Sequence, residues 1–340
     1  LGALALPVLL AIFALAATVV WVAGVAISDA TDVLDERFDL DEAMGGMVLL
    51  AIVTNLPEVA IVSSAAIRGA MDIAVGNILG GIAIQTVVLA VLDLWGLGRA
   101  DALTYRADAP ALLIEGVLVI AVLALTVIGS LLPADMVYLR MTPITVLILL
   151  AWMTGVYVVA HARRVLPGGG KKADKPTADG STARHMLVFG VGALATLVAG
   201  VLLEISGEAI ASSIGMSGAV FAATVLAAAT SLPEVATGLR SVRKGDYQLA
   251  VSDIFGGNAF LPVLFLLATL LSGKAVLPDA KSTDIYLTGL GIVLTCVYVS
   301  GLVLRSKRQW WRMGIDSWVV VAIYALGIAG LFFVGARTSG

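Results

Sequence analysis

The chain has 340 residues, 60% of them hydrophobic and 13% charged, with a mean hydropathy of +1.02 and a formal charge of −3. A soluble domain of this length needs far more charge to cover its surface, so the composition excludes a water-soluble globule. The net charge decides nothing further, because orientation in a membrane depends on where Lys and Arg fall rather than on their sum.

A helix needs about 20 apolar residues to cross the hydrocarbon, and blocks of that length recur along the whole chain. Taken in order they predict ten spans, near 4–28, 44–67, 72–95, 110–132, 142–161, 186–206, 217–240, 247–272, 284–304 and 316–336. The chain begins at Leu1 without a methionine, which reads as a trimmed or processed start. Its first block, Leu4 to Ile27, lacks a basic n-region and a small-residue cleavage site, so it reads as a true spanning helix. The acidic stretch that follows (Asp29, Asp32, Asp35, Glu36, Asp39, Asp41, Glu42) reads as a solvated turn. Residues 166–185 carry Gly168-Gly169-Gly170, Lys171-Lys172, Pro176 and Gly180 and cannot form a core, so they read as a flexible linker. The linker divides the chain into five spans over 1–165 and five over 186–340. Cys296, the single cysteine, lies in an apolar run and reads as a small buried hydrophobe. Trp310, Trp311 and Trp318 flank the last loop as an aromatic belt would.

The loops after spans 1, 3, 5, 7 and 9 lie on one side of the membrane and hold 16 of the 21 basic residues. The opposite side has Arg68, Arg140, Lys274, Lys281 and Arg337. The positive-inside rule therefore puts the linker in the cytoplasm and both termini outside, in a plasma membrane of the bacterial type.

A shift of 176 residues lays Thr54-Asn55-Leu56-Pro57-Glu58-Val59-Ala60 over Thr230-Ser231-Leu232-Pro233-Glu234-Val235-Ala236 without a gap. It also lays Ala74-Val75-Gly76-Asn77-Ile78-Leu79-Gly80-Gly81 over Ala250-Val251-Ser252-Asp253-Ile254-Phe255-Gly256-Gly257. Between 51–86 and 227–262, 14 of 36 positions are identical, including Pro, Glu and Gly that shared hydrophobicity does not explain. Five spans is an odd number, so the second copy is upside down relative to the first. Inverted repeats with broken helices at mid-depth point to the binding site of a secondary transporter. The expected fold is all-α and polytopic, with ten transmembrane helices as two inverted five-helix repeats. Its breaks are expected in spans 2 and 7 at Pro57 and Pro233, and in spans 3 and 8 at Gly80-Gly81 and Gly256-Gly257.

Glu58 and Glu234 sit mid-span, where a carboxylate costs at least ~2.5 kcal/mol unless it is paired, protonated or ligated. The plainer reading is a protonated glutamate bonded to a neighbouring helix. The functional one is two carboxylates converging on one cation across a pseudo-two-fold. Two hard anionic oxygens suit Ca2+, which takes six to eight oxygen ligands in irregular geometry. Thr54, Asn55, Thr230 and Ser231 would add neutral oxygens, although hydroxyls in spanning helices commonly bond back to their own helix. Asn77 and Asp253 occupy equivalent positions in the following helices, and Asn258 lies just past the second glycine pair. Glu115, Glu204 and Glu208 are further acids in apolar surroundings; the last two share a helix face near the outer end of span 6, where water would reach them, and all three read as structural.

The two Pro-Glu motifs, each followed by a Gly-rich helix, resemble the alpha repeats of the calcium/cation antiporter superfamily, the sodium/calcium exchangers and their relatives. The resemblance covers nearly the whole chain. It implies that Glu58 and Glu234 form the central cation site, with Thr54 and Thr230 as neighbouring ligands. It also implies Gly-Ser-Asn in spans 3 and 8, where this chain has Gly80-Gly81-Ile82 and Gly256-Gly257-Asn258. Four residues beyond the serine positions, an expected Asn or Asp ligand is Gln85 in one repeat and Leu261 in the other, and Asp253 stands where asparagine is usual.

The expected function is a cation antiporter that moves Ca2+ or a related cation against Na+ or H+ by alternating access. The alternatives are exchange of Na+ or K+ against H+, and a cation channel, which would pass current without a counter-ion. Inorganic cations and the lipid bilayer are the expected partners; the sequence points to no cofactor, no nucleic acid and no protein partner. With two histidines, His161 and His185, both at the linker, and no nucleophile motif, the chain does not read as an enzyme.

Overall fold

The computed structural model describes residues 4–38, 52–97, 101–166 and 182–338. Inside a bilayer no water satisfies backbone N–H and C=O groups, so apolar segments close their hydrogen bonds as helices. Eleven helices organise the described residues: α1 (Leu6–Phe38), α2 (Leu56–Arg68), α3 (Met71–Gly96), α4 (Pro110–Ser130), α5 (Pro143–Val165), α6 (Thr182–Ser213), α7 (Gly218–Thr230), α8 (Leu232–Arg243), α9 (Tyr247–Ser272), α10 (Ser282–Leu304) and α11 (Ile315–Thr338). Eight of these are long and apolar enough to cross a membrane by length and composition. The pair α7 and α8, bent by 42° at Ser231, meets the same criteria when the two are taken together. Before α2, residues 52–54 are helical and Asn55 forms a turn; the expected start of that span, 44–51, lies outside the described residues, as does most of the linker.

α3 lies at the centre, enclosed by α2, α7, α8, α9, α10 and α11. The main core joins α3 to α4, α9 and α10 through Ile78, Ile82, Leu89, Leu123, Phe255, Phe265, Leu294 and Tyr298. A second core lies between α1, α6 and α7, around Leu9, Val20, Leu203 and Phe221. α1 and α6 pack along each other and touch the rest mainly through α2, α7 and α8.

Several details depart from the sequence expectations. Span 3 does not break at Gly80-Gly81: α3 is continuous from Met71 to Gly96. Its glycines serve close approach instead, Gly76 and Gly80 lying against the backbone of Ala219 and Ala223 in α7, where a methyl group would collide. α9 likewise runs through Gly256-Gly257 and tightens into a 3-10 turn only at Leu261–Val263, where Pro262 removes a helix donor. α1 continues ten residues past the expected end of span 1. Asp29, read as part of a solvated turn, is therefore helical and forms an ion pair with Arg240 of α8. Cys296 is exposed on the outer face of α10 rather than buried.

Candidate cation site

Pro57 and Pro233 set the local structure. Each lacks an amide hydrogen, so Val53 and Ala229 lose the helix donor four residues on. The chain breaks at the residue two before each proline, Asn55 (φ −93°, ψ 17°) and Ser231 (φ −83°, ψ 2°), and a new helix starts with proline in its first turn. Glu58 and Glu234 therefore fall in the first turns of α2 and α8. There the unpaired amides and the helix dipole favour a carboxylate by about 0.3–1 kcal/mol, up to ~2 in enclosed settings. α7 ends at Thr230 on the other side of the second break, and the carbonyls at such a terminus favour a cation.

Glu58 is 0% and Glu234 3% exposed, and neither carboxyl has a hydrogen-bond partner among the described residues. The two are close enough to interact electrostatically, and Asp253 adds to the field at Glu234. The Thr230 hydroxyl stands beside the Glu58 carboxyl but directs its hydrogen to the Ala227 carbonyl at 3.1 Å. Ser231 Oγ donates to the same carbonyl at 2.8 Å. A hydroxyl that has given up its hydrogen keeps lone pairs for a cation.

The surrounding helices add amides. Asn77 and Gln85 of α3 are buried, and neither side-chain amide has a hydrogen-bond partner among the described residues. Asn258 of α9 donates to Thr86 Oγ1 at 3.1 Å, which leaves its Oδ1 without one. Asn55 and Gln85 converge over Gly257: a methyl group there would lie 3.2 Å from Asn55 Nδ2 and 3.5 Å from Gln85 Oε1. Asn55 Nδ2 also reaches the buried Thr54 hydroxyl at 3.4 Å. Asp253 is half-buried and accepts a hydrogen bond from Thr237 at 3.4 Å. The equivalent of Gln85 in the second repeat, Leu261, instead closes over Gly81, so at this pair of positions only the first repeat supplies a polar group. Each unsatisfied buried polar atom costs about 1–3 kcal/mol. Asn77, Gln85, Asn258 and both carboxyls leave such atoms buried among the described residues, a cost that a bound cation would relieve.

The remaining acids go elsewhere. Glu115 pairs with Arg163 at 2.7 Å, and Arg163 also reaches Ser252. Glu204 accepts from Ser64 at 2.7 Å and from Arg68 at 3.3 Å, while Glu208 meets Arg68 at 2.5 Å. Glu204 is fully buried rather than reached by water, because Ser64 and Arg68 bring it partners from one turn of α2. No described ion pair takes Glu58 or Glu234. Among the described residues no trio of His, Cys, Asp and Glu converges as in a tight transition-metal site; the donors here are hard oxygens, suited to Ca2+ or Na+.

Sequence reasoning missed Thr86 and Thr237, which support Asn258 and Asp253. It also missed two glycines. A methyl at Gly24 of α1 would lie 2.7 Å from Pro233, and one at Gly200 of α6 would lie 2.7 Å from Ala60 and 3.0 Å from the Pro57 carbonyl. Gly24 and Gly200 are 176 residues apart, the shift that relates the two motifs, so the signal was present in the sequence.

The sequence matches the family described as sodium/calcium exchanger protein over residues 8–160 and 184–333. It is 29% identical over 264 residues to the inner membrane protein YrbG of Escherichia coli, covering 75% of this chain and 77% of that one. In fold it is similar to the sodium-calcium exchanger NCX_Mj, with a TM-score of 0.63 at 18% identity over 96% of this chain and 99% of that chain. It is also similar to the H+/Ca2+ exchanger CAX, with a TM-score of 0.69 at 13% identity over 97% and 88%. Fold and site together define an integral membrane transporter of inorganic cations rather than an enzyme. More narrowly, the chain belongs to the sodium/calcium exchanger protein family, and its broad function is that of a calcium/cation antiporter.

Proposed function

We propose that the protein moves Ca2+, or a closely related cation, in exchange for Na+ or H+ by alternating access, with Glu58 and Glu234 as the central ligands. One observation carries this reading: two buried carboxylates from equivalent positions lie in each other's field, with no cationic partner among the described residues. Thr54, Thr230, Asn55, Ser231, Asn77, Gln85, Asn258 and Asp253 would supply further oxygens. The pair cannot hold substrate and driving ions at once, so occupation by one displaces the other, and the membrane potential acts on the difference in charge.

The proposed frame is ten spans in two inverted repeats, 1–165 and 186–340, joined by a cytoplasmic linker at 166–185, with both termini outside a bacterial-type plasma membrane. The reciprocal contacts of Gly24 with Pro233 and of Gly200 with Pro57 support it, since each repeat lends the other the same glycine. Leu261 over Gly81 removes a polar group from one side of the site. That favours a single cation at a time and keeps exchange of Na+ or K+ against H+ as a second reading, which isotope flux in the absence of calcium separates from the first.

Glu58→Gln and Glu234→Gln keep size and lose charge. Each is expected to abolish counter-ion-dependent Ca2+ flux in proteoliposomes while the protein still elutes as a folded species. Wild-type flux in either variant would remove the assigned site.

A further inference from the structure

The α4–α5 and α10–α11 connections share a feature that the cation site does not use. Each closes in a two-residue hairpin. Tyr138 and Met141 exchange backbone hydrogen bonds of 2.8 and 2.9 Å across Leu139-Arg140, and Trp310 pairs with Met313 across Trp311-Arg312. All four central residues are left-handed, with φ of 50° and 61° in the first turn and 49° and 69° in the second. This is the type I′ geometry, which ordinarily takes Asn-Gly because a Cβ is strained there. Here the corresponding connections of the two halves read Tyr-Leu-Arg-Met and Trp-Trp-Arg-Met. Bulky residues kept in a strained backbone imply an interaction that offsets the strain.

Part of that interaction is internal. Arg140 donates to the Leu271 carbonyl at 2.7 Å and so closes the end of α9, and Met313 is buried beneath its turn. Leu139 and Trp311 are different: they are 88% and 76% exposed. Trp311 leans on Trp310, which tilts against Trp318 with ring centroids 5.0 Å apart, and Trp318 Nε1 donates to the Trp310 carbonyl at 2.7 Å. The three indoles form a braced platform at the end of a spanning helix.

Charge distinguishes the two hairpins. In sequence Asp135 accompanies Arg140 at the first, whereas Arg305, Lys307, Arg308 and Arg312 flank the second, where the nearby acids face inward: Asp93 is buried and accepts from the Gly314 amide at 2.6 Å, and Asp316 packs against Gly301 and Gly314. Asp108 takes Arg305 at 2.7 Å, while Lys307 rests over the uncharged Tyr105 ring, 4.8 Å from its centroid, and Arg308 is exposed. We propose that the Trp310–Met313 hairpin is a binding site for anionic phospholipid. Its indoles sit at the boundary of acyl chain and headgroup, and Lys307 and Arg308 face the headgroup phosphate. The Tyr138–Met141 hairpin grips the other leaflet without preference for headgroup charge; this placement rests on the ten-span topology proposed above.

The test is the thermal unfolding midpoint of the full-length protein in detergent with added phosphatidylglycerol or phosphatidylcholine. A lipid that binds the folded state raises the midpoint. Phosphatidylglycerol is expected to raise it more. In the Lys307→Gln/Arg308→Gln variant that excess disappears, with a loss of about fivefold in apparent lipid affinity per charge removed. Arg308→Gln alone, a change at an exposed position, should remove part of it. Leu139→Ser should leave the excess intact, as should Glu58→Gln, so the outcome does not depend on the cation site. Equal responses to both lipids in the wild type, an undiminished excess in the double variant, or the same shift from soluble glycerol phosphate would overturn the proposal.

Discussion

Glu58 and Glu234 are the centre of the proposed site because the proline before each puts it at a helix start, where ionisation is favoured, in a place where ionisation is otherwise expensive. Around them the amides are unequal. Gln85 faces Gly257 with both side-chain atoms unpartnered among the described residues, while its repeat equivalent Leu261 covers Gly81. Gln85→Leu makes the two sides alike and is expected to weaken Ca2+ binding about tenfold, roughly 1.4 kcal/mol, within the range for a hydrogen-bonding group acting on a charge. Calorimetric titration of the purified protein measures it; an unchanged affinity would show that the ion lies away from α3. At this scale the repeat made most of the candidate site readable, since Glu58, Glu234, Asn77 and Thr230 stand in register across the 176-residue shift. Thr86 and Thr237 escaped because the same shift pairs them with Pro262 and Ile61, which share no chemistry with them. Only the burial of Glu204, read as structural, went unseen, because its partners Ser64 and Arg68 lie 140 and 136 residues away.

Among elements, the outlying pair α1 and α6 is tied to the motif helices by glycine contacts at the prolines and by ion pairs farther out. Arg68 of α2 holds Glu204 and Glu208 of α6, and Arg240 of α8 holds Asp29 of α1. These ties differ in strength for a physical reason. Arg68→Ala leaves the buried Glu204 charge with Ser64 and should cost about 2–3 kcal/mol, below the roughly 3–5 of a fully enclosed pair because Arg68 is partly exposed. Arg240→Ala breaks a pair whose members are both substantially exposed and should cost less than about 1 kcal/mol. Thermal unfolding of the two variants side by side measures the difference, and equal losses would contradict it. The breaks at Asn55 and Ser231 were legible from the prolines, whose missing donor acts in any solvent. Those expected at Gly80-Gly81 and Gly256-Gly257 were not found. In hydrocarbon a frayed glycine has no water to take its freed backbone groups, so the helix stays whole; Gly80 instead lets α7 approach closely, while Gly256 faces open space. The length of α1 was underestimated because hydropathy marks the bilayer core. A helix of 33 residues is about 50 Å long against roughly 30 Å of hydrocarbon.

For the whole molecule, the sequence already separated membrane from soluble protein and located most of the spans; its division into two halves stays part of the proposal. The proposed cytoplasmic side rests on 16 of 21 basic residues lying in alternate loops. In a Cys296→Ser background, Gly169→Cys in the linker should resist a membrane-impermeant thiol reagent applied to intact cells, and Lys274→Cys should react. The reverse pattern would invert the topology.

The proposed transport cycle requires Glu58 and Glu234 to grip one cation together. Equilibrium binding of radiolabelled calcium to the purified protein tests this directly. The expected result is one saturable Ca2+ per wild-type chain, displaced by excess Na+ or H+, with no measurable binding in either Glu58→Gln or Glu234→Gln. Saturable binding retained at wild-type affinity in both variants would contradict it.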